Sequence, residues 1–242
     1  MTDVEAMAVA IAQRWTDVRR RIERTAEAAG RDPATVRVVA VSKGFGVDVV
    51  RAALTVGLRA FGESRVQEAE PKVAAIPEVD WHLVGHLQSN KARRAVAAFA
   101  TIDAVDSLEL LNRLEAVASE LGVTRRALLQ VNLTAAPGQH GFDSRDLDAA
   151  ARDGRLAAAL GARHAVTVAG LMGIGPFTDD ATASRAAFAG LRGLRNRLEE
   201  ASGRALPDLS MGMSGDLEAA VVEGATELRL GTALFGPRPA PL

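Results

Sequence analysis

The chain contains no cysteine and no tyrosine among its 242 residues. Without cysteine there are no disulfides, thiolate metal sites or thiol nucleophiles, and only four histidines remain to support a metal centre. Without tyrosine, no phenol can serve as an acid or base. Excess charge is also lacking. Lys and Arg number 29 against 30 Asp and Glu, a net charge of −1. The basic residues are scattered, so nucleic acid and anionic membranes are poor candidate partners. No apolar run approaches the roughly 20 residues of a membrane span. The apolar stretch AMAVAIA (6–12) follows Asp3 and Glu5, where a secretion signal would carry positive charge. It reads as the start of an amphipathic helix in a cytoplasmic protein.

What is present is an alternation. Short β-branched or apolar runs fall at 36–42, 59–63, 81–87, 101–105, 127–133, 166–172, 208–211 and 227–230. Between them lie Ala/Leu/Arg/Glu segments of helical character at 47–56, 66–75, 91–98, 108–121, 144–160, 181–202 and 216–223, with an opening helix over 4–29. Strands alternating with helices predict βαβ units and a parallel sheet. Runs such as VRVVAV and ALLQVNL are too continuously apolar for a half-exposed antiparallel strand. Eight repeats in a chain near 250 residues fit a closed (β/α)₈ barrel somewhat better than an open doubly wound sheet. Residues 1–242 are read as one α/β domain, with TAAPGQHGFDS (134–144) as a loop after the fifth strand.

In such a barrel the reactive face lies at the C-terminal ends of the strands. The polar residues closing the apolar runs are Lys43, Glu63 with Ser64, His86 with Gln88, Asp106 with Ser107, Asn132, Ser210 with Ser214, and Arg229 with Thr232. Lys43 can be a snorkelling lysine paired with Glu63 or Asp106. It can equally be an amine whose pKa is lowered by apolar walls, suited to Schiff-base chemistry. The last two strands favour the second. Ser214 stands where the N-cap of the following helix belongs, and RLGT (229–232) sets Gly231 beside the Thr232 hydroxyl. Loops after strands seven and eight are the customary phosphate site of this fold. A phosphate cradle together with an amine suggests a ligand carrying a phosphate and an aldehyde, such as pyridoxal 5'-phosphate (PLP), with Arg229 facing its ring nitrogen.

Three other motifs yield to simpler readings. His82 and His86, four apart on a strand, would be roughly 13 Å from each other, too far to share an ion. GLMGIG (170–175) resembles a dinucleotide fingerprint, but Pro176 and a polar loop follow it instead of a helix. SNKARR (89–94) reads as the capped start of a helix with a solvated face.

Seven ordered motifs carry a family resemblance: VAVSKGF (39–45), FGESRVQE (61–68), WHLVGHLQSNK (81–91), VDSLEL (105–110), QVNL (130–133), GLMGI (170–174) and LSMGMSGDLEAAVVEGATELRLGTALFG (209–236). Across nearly its whole length the chain resembles the pyridoxal phosphate homeostasis proteins. The resemblance implies a fold-type III barrel like the N-terminal domain of alanine racemase, with PLP held as an internal aldimine on Lys43. It implies phosphate contacts at Ser214, Gly231 and Thr232 and places Arg229 at the ring nitrogen. Ser64, Ser210 and Met211 complete the expected cofactor-binding set, without a metal. The chain departs from the family where Ser64 and Arg65 replace Asn and often Tyr, and where Gly44 and Gly46 replace Thr and Pro.

The family implies a carrier or buffer that affects PLP supply and amino-acid balance, with apo-enzymes as recipients. The rival is a racemase on the same barrel. Two-sided racemisation by the alanine racemase scheme needs a lysine on one face and a tyrosine on the other, and this chain has no tyrosine. After the eighth strand only PRPAPL (237–242) follows, so the second racemase domain and its dimer interface are expected to be absent and the protein to be a monomer.

Overall fold

A computed structural model of the chain describes residues 3–134, 139–161 and 163–238. Eight parallel strands close into a barrel in chain order, with β1 paired to both β2 and β8. They are β1 Arg37–Val41, β2 Ala60–Glu63, β3 Asp80–Leu83, β4 Thr101–Val105, β5 Arg125–Val131, β6 Val166–Gly173, β7 Asp208–Ser210 and β8 Glu227–Leu230. The helices are α1 Asp3–Ala28, α2 Val47–Thr55, α3 Val66–Ala75, α4 Ala92–Ala98, α5 Leu108–Leu121, α6 Ser144–Arg152, α7 Arg155–Gly161, α8 Ala181–Ser202, α9 Leu217–Val222 and α10 Thr232–Phe235.

The period-two alternation of a strand sorts these residues onto two surfaces. Ala40, Phe61, Trp81, Leu209 and Leu228 face outward and join the helices in the main apolar core. Phe61 and Trp81, register partners on β2 and β3, hold their rings 5.8 Å apart. Each large side chain buried there contributes roughly 2–3 kcal/mol of transfer free energy. The alternate residues face inward, where Ala104, Leu128, Ala169 and Met172 form a separate small cluster.

The opening helix packs against α2, α9 and α10, closing the helical ring beside the short last helix. Arg21 binds Glu218 of α9 through two hydrogen bonds of 2.7 and 2.9 Å. The single helix expected over 144–160 is divided: the Asp153 side chain accepts from the Arg155 N–H at 3.0 Å and starts α7 afresh. β3 ends at Leu83, four residues before the expected limit, which leaves His86 and Gln88 in a loop. The GLMGIG segment is a packing motif. A Cβ on Gly170 would lie 2.0 Å from the Asp208 carbonyl oxygen of β7, so only glycine permits this strand contact. Residues 135–138 of the loop after β5, and 239–242 of the PRPAPL segment, lie outside the described residues.

Candidate functional site

Inner and outer faces alternate along β1 and continue past its end. Val39, Val41 and Lys43 fall on the inner side, Ala40 and Ser42 on the outer. Ser42 donates to Glu63 Oε1 at 2.6 Å, and Lys72 of α3 donates to the same oxygen at 2.6 Å and to the Ser42 carbonyl at 3.0 Å. Glu63 is thus engaged by Lys72 behind the barrel wall, and Asp106 by His86, their atoms 3.0 Å apart. Lys43 has neither as an ion-pair partner, and no hydrogen-bond acceptor reaches its ammonium among the described residues. Burial pulls its pKa below the ordinary lysine value and the charge of Arg238 pushes in the same direction, against the weaker pull of Glu63 and Glu68.

The glycine after Lys43 has a structural reason. Gly44 adopts φ +79°, and its N–H donates to Glu68. A Cβ there would sit 3.3 Å from Cδ of Arg238, so the glycine both makes the turn and leaves room for that arginine.

A pocket of about 560 Å³ opens at the C-terminal mouth of the barrel. It brings together Lys43, Ser64, Ser214, Arg229, Gly231 and Thr232, six of the eight residues expected from sequence. Arg229 is buried, donating from Nη1 to Ser210 Oγ at 2.7 Å and from Nη2 to the Gly173 carbonyl at 2.8 Å. Burial lowers its pKa, while Asp103, Glu227 and Asp216 oppose that. Ser210 therefore stands behind Arg229 and orients it, outside the pocket lining. Met211 does not join the pocket: alternation along β7 turns it outward with Leu209, fully buried in the main core.

Ser214 corrects its expected role. The cap of α9 is Asp216, whereas Ser214 Oγ accepts from the Ala233 N–H at 3.0 Å, in the first turn of α10. The reason is topological: the loop after β7 bends back across the mouth and lays its hydroxyl on the helix that follows β8. The result joins the two loops into one cradle, with Ser214, Gly231 and Thr232 around the start of α10. Pocket residues that the strand-end reading missed lie further along the loops. Arg238 follows α10, Asp216 follows Ser214, and Phe177, 87% exposed, stands at the rim after β6. No strand-end rule reaches them.

Beneath Arg229 the barrel interior is polar. His82 Nδ1 lies 3.0 Å from Asp103 Oδ1 and its Nε2 lies 3.3 Å from Asp80 Oδ2. Burial alone would lower the His82 pKa, but Asp103 and Asp80 outweigh it and hold it well above its ordinary value. Both ring nitrogens face carboxylates, an arrangement that favours the imidazolium. Glu227 is pushed up to about 7, first by burial and then by the charge of Asp103. Glu227 Oε1 and Asp103 Oδ2 have no hydrogen-bond partner among the described residues.

The alanine racemase N-terminal domain family matches residues 15–239. The pyridoxal phosphate homeostasis protein of Pseudomonas aeruginosa is 42% identical over 230 residues, covering 94% of this chain and 96% of its own. The chain belongs to this family. PipY of Synechococcus elongatus PCC7942, solved with PLP bound, superposes with a TM-score of 0.80 at 39% identity, over 93% of this chain and all of its own. An alanine racemase of Clostridium difficile shares the fold, with a TM-score of 0.70 at 14% identity over 91% of this chain and 56% of its own.

Proposed function

We propose that this protein binds pyridoxal 5'-phosphate through Lys43 and serves intracellular PLP homeostasis as a cytoplasmic, monomeric, single-domain carrier. The observation that carries the reading is convergence. One open pocket holds an unpaired lysine with lowered pKa, a buried arginine, and a hydroxyl-lined helix start, supplied by β1, β8 and the loop after β7. That donor set fits an aldehyde, a pyridine nitrogen and a phosphate. When bound, the cofactor supplies an electrophilic aldehyde and, in enzymes that use it, an electron sink.

The chain's own residues do the rest. Lys43 would hold the aldehyde carbon, and its lowered pKa keeps more of the amine neutral and nucleophilic. Ser214, Gly231 and Thr232 would hold the phosphate at the start of α10, where the Ser214 hydroxyl already caps the Ala233 N–H. Arg229 is fixed by Ser210 and Gly173 and keeps its charge, so it disfavours a proton on the ring nitrogen and weakens the electron sink. Together with the lack of any tyrosine to act as a second base, this favours holding the cofactor over turning it over. An open mouth favours release to apo-enzymes.

The test is transfer. Holo-protein mixed with an apo-form of a PLP enzyme should restore that enzyme's activity, while single amino acids in deuterated water should exchange their α-protons only slowly. No transfer, or α-proton exchange at about 1 per second or faster, would overturn the carrier reading.

A further inference from the structure

The two exposed histidines at the mouth are not part of the pocket. We propose that His86, Asp106 and His140 form a divalent transition-metal site, with Zn²⁺ as its reference ion, on the rim opposite the lysine.

Three loops converge there, after β3, β4 and β5. The imidazole rings of His86 and His140 stack 3.6 Å apart and 8° from parallel, although the residues are 54 positions apart in the chain. Both turn Nδ1 toward one carboxylate oxygen, Asp106 Oδ2, at 3.0 Å from His86 and 3.8 Å from His140. All three donor atoms lie within 4.8 Å of one another. Tetrahedral zinc with bonds of about 2.0–2.1 Å separates its ligand atoms by about 3.3 Å, a value these two distances straddle, but stacked rings hold their lone pairs in parallel planes, so both exposed imidazoles must turn about Cβ–Cγ to meet one ion. Two imidazoles with one carboxylate suit zinc, copper, nickel or iron, and not the oxygen-seeking magnesium or calcium.

The backbone that carries His140 is held in place. The buried Gln130 side chain donates to the His140 carbonyl at 2.9 Å. The next residue, Gly141, packs so closely on the end of β5 that a Cβ would fall 2.7 Å from the Asn132 nitrogen. Phe142 and Val131 pair as an isolated bridge. These contacts fix the backbone that lays His140 over His86. Three protein ligands leave positions open to water or to a ligand entering the mouth. A bound ion would clamp the loop after β5 to the loops after β3 and β4.

Zinc titration calorimetry on the full-length chain tests this, with a Co²⁺ visible spectrum as a second readout of coordination. The chain has no cysteine, so competing thiolate sites are absent. One Zn²⁺ per chain is expected, with a dissociation constant on the order of 1–100 µM. His86→Ala and His140→Ala should each weaken it about tenfold or more, while His164→Ala, on another exposed loop, should leave it unchanged. Both substitutions are at exposed positions, and an unaltered circular dichroism spectrum confirms the fold. Binding weaker than about 1 mM, or binding that survives both substitutions, overturns the site.

Discussion

Ser42 and Lys43 are chain neighbours that end on opposite sides of one barrel wall, and the two sides treat a lysine differently. On the outer side, Lys72 is buried and fully engaged by Glu63 and the Ser42 carbonyl. On the inner side, Lys43 is half-buried, unpaired, and shifted toward the neutral amine by burial and Arg238. The same functional group is a structural cation on one face and a poised nucleophile on the other. The difference comes from strand alternation and from where the Glu63 carboxylate points.

The largest effect expected from breaking this contrast is on the outer side. Lys72→Met would leave the Glu63 carboxylate buried without its cation, at a cost of about 3–5 kcal/mol in denaturant unfolding. Glu63→Gln added to it should recover part of that loss. Neither change should abolish cofactor attachment at Lys43. If Lys72→Met lost attachment while remaining folded, the two faces would not be separate devices.

The interior polar group gives the next effect, through pH. Glu227 titrates near 4.5 when free and at about 7 in the fold, so the native state holds its proton across that interval and stability falls as pH rises through it. His82, raised in the fold, contributes stability that is complete below its ordinary value and is lost as pH climbs through the raised one. Both slopes have the same sign. Between about pH 5 and pH 8, unfolding free energy should drop by roughly 1–3 kcal/mol, and Glu227→Gln should flatten the lower part of that curve. A stability that rises over this range would contradict the assignment.

The eight-strand alternation and the cofactor half of the site were legible because they depend on local patterns. Apolar runs mark buried parallel strands, and a lysine closing one of them is conspicuous. What was hidden depends on alternation and on distant loops. Met211 follows Ser210 in sequence, yet parity alone sends it to the core. Ser214 precedes one helix and caps another, because β7 and β8 are neighbours and their loops cross. Gly44 departs from the family pattern, and its neighbour in space, Arg238, lies 194 positions later in the chain. The pairing of His86 with His140 needed three loops to close over one aspartate, which no spacing rule encodes.

Smaller effects sharpen the inner face. Ser214→Ala removes the hydroxyl that accepts from Ala233, costing about 1 kcal/mol of stability and weakening PLP binding severalfold in a fluorescence titration. Arg238→Gln removes the second cause of the lowered Lys43 pKa while leaving burial, the first, in place. The pH profile for the rate of PLP incorporation should therefore move modestly to higher pH. A profile that stays fixed would mean that Arg238 does not act on Lys43.

The most direct measurement exploits how few lysines the chain has, namely Lys43, Lys72 and Lys91. PLP-loaded protein is reduced with borohydride, digested, and the peptides carrying the phosphopyridoxyl group are identified by mass. The label is predicted on Lys43, with a Lys43→Ala chain taking up none and keeping its fold. Label on Lys72 or Lys91 as the major product, or an undiminished Schiff-base absorption band in Lys43→Ala, would contradict the account.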